Sequence, residues 1–166
     1  RFLTTDQVGG LSSDSLGGLT SSQVAGLAPT QIAALTTTQL AGFGSVQVRG
    51  LSTTQIAALD SDDLAALGPN GFAALTTTQL SGLSATTLQS LGTAEVSALT
   101  SAQIRAMTTA QLRSLTTTQF AALTPDQLRT LSNTQARALT TEQLVALTTD
   151  QMAGLVSTQL AALGQT

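Results

Sequence analysis

The chain has 166 residues and a net charge of −3, with six Arg, no Lys, no His and no Cys. So few cations, with four Phe as the only aromatics, leave no basic stripe for a phosphate backbone and no stacking platform for bases, so no nucleic-acid partner is expected. The lack of Cys rules out disulfides and thiolate metal sites, and no apolar run approaches the ~18–20 residues that span a bilayer, so no membrane span is expected either.

From Leu3 the sequence is one eight-residue word, repeated without insertion or deletion through twenty copies to Ala162, with a further copy begun at Leu163. Leu35-Thr36-Thr37-Thr38-Gln39-Leu40-Ala41-Gly42 is representative. Position 1 is Leu except at Phe43 and Met107, position 6 is always apolar, and position 8 is always small. Eight residues at ~100° each would carry an apolar stripe ~80° around a continuous helix per copy, exposing it on every side. Strand alternation would put Leu35 and Leu40 on opposite faces. The chain must therefore break its helix once per octad.

Positions 2 and 5 say where. Position 2 is Thr, Ser, Asp or Gly in eighteen copies, and position 5 is Gln in most, which is the spacing of a capping box. Thr36 with Gln39, Thr76 with Gln79 and Thr116 with Gln119 are the plainest candidates for this structural role. Leu35 and Leu40 then stand at N′ and N4, the hydrophobic staple. Pro29, Pro69 and Pro125 all fall at position 3, the N1 site where a missing N–H is harmless. Asp6, Asp14, Asp62, Asp126, Glu142 and Asp150 sit at position 4, in the first turn. Arg49, Arg105, Arg113, Arg129 and Arg137 sit at position 7, near the helix end, so both charges complement the helix dipole. Each octad predicts about one and a half turns of helix followed by a corner. Isolated helices below ~12–15 residues are marginal in water, so such units must stack. The fold class is all-α: a solenoid of very short helices, one per octad, with positions 1 and 6 in its centre, forming one tandem-repeat domain over residues 1–166.

Taken in chain order, the first two octads end in Gly-Gly, and Ser15 replaces Gln in the second, predicting a loosened first coil. Phe43-Gly44 replaces Leu-Thr. Asp60, Asp62 and Asp63 cluster as a calcium loop might require, but the Gly-x5-Glu completion is missing, so Asp60 reads as an N-cap and its neighbours as first-turn acids. Gly68-Pro69-Asn70-Gly71 lacks both the hydroxyl and the Gln, predicting a weak or bent coil. Thr87 and Glu95 also replace Gln, and Glu95 is expected still to complete a capping box. Ala136 leaves a small deficit at position 6.

The octad L-T-T-x-Q-[LIV]-A-[AG] resembles tandem repeats of some large bacterial proteins and the short-helix triangular solenoid nicknamed the Toblerone fold. The resemblance covers Leu3 to Leu163. It implies a three-sided, all-helical prism and no particular activity. Spacing alone leaves three and four sides per coil open: three would set Arg105 over Arg129 and Arg113 over Arg137, four would set Arg105 over Arg137.

No enzyme is expected, and no cofactor or metal site. With neither His, Cys, Lys nor Tyr in the chain, hydroxyls have no ordinary basic partner, and the carboxylates sit at repeated capping positions. Two function classes remain. One is a spacer or stalk in a larger, surface-exposed or secreted bacterial protein. The other is a scaffold whose exposed positions 3, 4 and 7 bind a protein, a glycan or an ice-like surface, with Arg105, Arg113, Arg129 and Arg137 as a candidate surface for an anionic partner. Uncapped solenoid ends suggest end-to-end self-association. The start at Arg1 and the stop within a copy at Leu163-Gly164-Gln165-Thr166 suggest a piece of a longer chain.

Overall fold

In a computed structural model, residues 3–164 are described; Arg1, Gln165 and Thr166, on which the expectation of an excised piece rests, lie outside them. The described residues form twenty short α-helices and no strands, an all-α repeat solenoid with one helix per octad. Contacts divide the chain into two units, one up to Leu83 and one from Ser84.

The first unit holds α1 (Thr5–Gly9), α2 (Ser13–Gly17), α3 (Ser21–Ala25), α4 (Pro29–Ile32), α5 (Thr37–Ala41), α6 (Ser45–Gly50), α7 (Thr53–Ile56), α8 (Ser61–Ala66), α9 (Gly68–Ala74) and α10 (Thr77–Ser81). Its packing follows one rule: α1 lies on α4, α2 on α5, α3 on α6, α4 on α7, α5 on α8, α6 on α9 and α7 on α10.

The second unit holds α11 (Ala85–Ser90), α12 (Thr93–Ala98), α13 (Ser101–Ala106), α14 (Thr109–Ser114), α15 (Thr117–Ala121), α16 (Pro125–Arg129), α17 (Asn133–Arg137), α18 (Thr141–Val145), α19 (Thr149–Gly154) and α20 (Ser157–Leu163). The same rule holds, from α11 on α14 through α17 on α20. Within each unit, a helix thus meets the helix three octads further along.

The corners follow from local chemistry. In the Thr36 octad the N-cap residue is extended, at φ −76° and ψ 157°. The residue before a cap can be extended too, as Leu51 is at φ −65° and ψ 132°. Between α6 and α7 the two residues that separate the helices, Leu51 and Ser52, are both extended. Each helix is closed by a tight bond from the next position-1 N–H to the position-6 carbonyl, such as Leu35 N–H to Ile32 O at 3.1 Å and Phe43 N–H to Leu40 O at 2.9 Å.

Position 6 forms the innermost core: Val8, Leu16, Ile32, Leu40, Phe72, Leu112 and Phe120 are all fully buried, as is the smaller Ala136. Position 1 packs toward the preceding coil. Leu3 is accordingly 48% exposed, Leu27, one coil on, is half-buried, and Leu35, in the octad after that, is only 4% exposed. Position 6 is covered by the following coil, so Leu144, Met152 and Leu160 in the last three octads remain partly exposed while the earlier members, Val8 to Ala136, are sealed. Position 8 meets the backbone of the coil below: a Cβ added at Gly50 would come within 2.6 Å of the Ser21 carbonyl oxygen.

Three details differ from expectation. The first coil is fully helical, with Ser12 accepting from the Ser15 N–H, and its looseness is confined to exposed position-1 side chains. Gly68-Pro69-Asn70-Gly71, expected to form a weak or bent coil, is part of α9, a seven-residue helix. Its corner is different: Leu67 is helical at φ −65°, ψ −22°, and Gly68 alone turns the chain at φ +64°, a left-handed conformation open to glycine. The helix consequently starts one residue early, which puts Pro69 at N2 rather than N1. Finally, α12 carries no capping box, because Gly92 offers no hydroxyl and the Glu95 carboxylate does not close the other half.

Candidate functional site

The polar chemistry of this chain is concentrated in the position-5 carboxamides, and most of them are buried. Within its own octad, Gln39 accepts from the Thr36 N–H through Oε1 at 2.8 Å, while its own N–H donates to Thr36 Oγ1 at 3.3 Å. Gln79 with Thr76 and Gln119 with Thr116 repeat both bonds.

The other end of each carboxamide reaches the preceding coil. Gln39 Nε2 donates to the Gly9 carbonyl at 2.8 Å and the Leu11 carbonyl at 2.7 Å. Gln79 reaches Val48 at 2.8 Å and Leu51 at 2.6 Å, and Gln119 reaches Leu88 at 2.8 Å and Leu91 at 2.6 Å. Gly9, Leu11, Leu51 and Leu91 stand where a short helix leaves carbonyls without backbone partners, whereas the Val48 and Leu88 carbonyls also accept from the Leu51 and Leu91 N–H groups. One amide therefore closes the start of its own helix and the end of another in the coil below. Only one amide orientation works, since flipping it would set an oxygen against two carbonyls. Residue 5 of the octad was legible as a cap; its Nε2 bonds were not, although a capping box accepts Glu as readily as Gln and this sequence uses Gln almost throughout.

Where Gln is missing, the staple is missing. Asp60 Oδ1 accepts from the Asp62 and Asp63 N–H groups, both at 2.9 Å, and Asp63 accepts from the Asp60 N–H at 3.3 Å. The acidic cluster is thus turned toward helix-start N–H groups, and no group of side chains among the described residues is arranged to hold a metal. Burial, partly offset by the bond from the Asp60 backbone, pushes the Asp63 carboxyl up, and the Asp60 and Asp62 charges push it further. Glu142 moves the other way: its own backbone N–H, then the Thr140 hydroxyl, stabilise the exposed carboxylate and lower its pKa.

The four arginines of the second unit are all exposed. The packing of α13 on α16 puts Arg105 and Arg129 in neighbouring coils, and that of α14 on α17 does the same for Arg113 and Arg137. Arg129 is engaged in the fold: Nη1 pairs with Asp126 at 3.1 Å, and Nε donates to the Gly154 carbonyl at 3.4 Å. Arg49 makes the same inter-coil bond to Ala74, at 3.3 Å. Position 7 thereby supplies a second, weaker link between coils.

A family described as the ALTTAQ repeat matches residues 25–61, 56–93, 72–109, 96–133, 126–157 and 133–165, which together tile the chain from residue 25 to residue 165. The chain belongs to the ALTTAQ repeat family. The six letters of that description read onto position 8 of one octad through position 5 of the next, as in Ala106-Met107-Thr108-Thr109-Ala110-Gln111. The ALTTAQ word thus runs from the small corner residue to the stapling amide. No curated protein matches the chain. No helix among the described residues is long and apolar enough to cross a membrane.

Proposed function

We propose that this ALTTAQ array is a structural repeat region, a spacer or stalk within a larger bacterial protein, each of its units built as a three-sided prism with three helices per coil. The observation that carries the reading is the inward use of its polar side chains. The position-5 amides, the most regular polar column in the sequence, are buried and bonded between coils. The packing of each helix on the third one along supports three sides. A solenoid in which each unit bonds only to its neighbours sets length by copy number, which is what a spacer requires.

A second reading has its own observation. Thr53 and Thr54 on α7 are exposed, as are Thr77 and Thr78 on α10, which packs against it, so one hydroxyl pair stands beside another in the next coil. Such neighbouring pairs suit a protein, a glycan or an ice-like surface, and the exposed Arg105 and Arg113 suit an anionic one.

The test compares the chain with a version scrambled at positions 3, 4 and 7 only. The spacer reading expects matching circular dichroism, with melting lowered only by the loss of the Arg49 and Arg129 links, and the same profile when each is immobilised and exposed to source-cell surface extract. Small-angle scattering should give a rod that lengthens in proportion to added octads. A ligand retained by the native order alone, or a length independent of copy number, would favour the scaffold.

A further inference from the structure

A cavity of about 560 Å³ lies in the first unit, lined in part by Ala41, Phe43, Gly44, Arg49, Asn70 and Gly71. The repeat explains why it is there. Gln39 reaches back 28 and 30 residues to the carbonyls of Leu11 and Gly9, and Gln47 likewise to Leu19 and Gly17. The same step from position 71 arrives at Phe43 and Ala41. Gly71 has no side chain to send there.

The vacancy is also held open. A Cβ at Gly71 would stand 2.7 Å from the Leu67 Cβ, because Leu67 is helical and Gly68 takes the corner at φ +64°. The altered corner and the missing amide are therefore one feature. On the opposite side, Arg49 commits Nε to the Ala74 carbonyl at 3.3 Å, which leaves its terminal N–H groups as donors, and Asn70 adds an amide.

This arrangement selects a ligand chemistry. Two backbone carbonyls require a paired N–H donor, while Arg49 and Asn70 require an acceptor. An ammonium or guanidinium would be repelled by Arg49, and a carboxylate would be set against the carbonyls. We propose that the cavity binds a primary carboxamide, its NH2 bridging the Ala41 and Phe43 carbonyls as a stapling glutamine would, and its oxygen accepting from Arg49 or Asn70. The site goes beyond the spacer reading and does not depend on it.

The native chain is titrated with propionamide while backbone amides are followed by NMR. Butanone, the same shape without N–H, is the control, and N-acetylglutamine N-methylamide offers the group on a peptide. Saturable shifts confined to residues 41–49 and 67–74 are expected with propionamide, with butanone at least about tenfold weaker. Arg49→Met should weaken propionamide by roughly tenfold without changing helicity. A tighter fit for the glutamine derivative assigns the site to a side chain of a partner protein; an equal or weaker fit assigns it to small amides. Absence of saturation, butanone binding as well as propionamide, or shifts scattered outside the two segments would overturn the proposal.

Discussion

A glutamine side chain suits its place here because it is neutral, long enough to leave its own helix, and carries an acceptor and two donors in one plane. Asp63 shows what happens without the donors. Counting back 30 and 28 residues puts Ala33 and Leu35 where its side chain would have to donate, and an ionised carboxylate cannot. Burial holds its pKa above the ordinary 3.8, so the folded state binds the proton more tightly than the unfolded chain does. Its contribution to stability is therefore full below 3.8 and is lost as pH rises through the folded value. The Asp63→Asn variant should be more stable than the native chain at neutral pH, with the difference shrinking as pH falls through the folded value and levelling off below 3.8. Urea midpoints measured across that range would show it. A difference that does not vary with pH would place the cause elsewhere.

At the scale of the element, each helix is too short to stand alone and is defined by its ends. Much of this was legible in the residues. Thr36, Gln39 and the paired Leu35 and Leu40 announce a helix start, and Pro29 and Pro125 stand at N1. Other features were hidden because they depend on the neighbouring coil. Gln39 bonds to Gly9 and Leu11, and nothing local in the octad says that those carbonyls lie beside it. The Gly68 corner is hidden in another way: the missing hydroxyl and Gln predict a weak or bent coil, whereas one left-handed glycine lets a helix begin early. Position 8 is a further case, small because another coil touches it. Gly50→Ala should cost about 1–3 kcal/mol, since the new Cβ would meet the Ser21 backbone within 2.6–3.0 Å. Thermal melting would report the loss, and an unchanged melting temperature would show that the coils can separate there without penalty.

At the scale of the whole molecule, equivalence of octads matters more than the number of residues. An octad removed intact lets every helix find another octad three along, with the same carbonyls for its amide and the same small residue at its corner. A half-octad removed leaves one helix without a cap and one position-1 anchor without a place. Deleting residues 99–106 should therefore destabilise the chain less than deleting residues 99–102 alone, although it removes twice as many residues. Circular dichroism melts of the two variants would decide the order, and the reverse order would mean that the octad is not the unit of folding.

The central claim is that the buried carboxamides bind one coil to the next. The most direct measurement compares the denaturation midpoints of Gln119→Met and Gln23→Met. Gln119 is buried and joined to Leu88 and Leu91, whereas Gln23 is exposed and caps only its own helix, at Thr20. The account predicts a loss of roughly 2–4 kcal/mol for Gln119→Met, from the stranded Leu91 carbonyl, the bond lost at the Leu88 carbonyl and the unpaired Thr116 N–H, against under about 1 kcal/mol for Gln23→Met. Equal losses for the two variants would contradict it, since the amides would then be caps and nothing more.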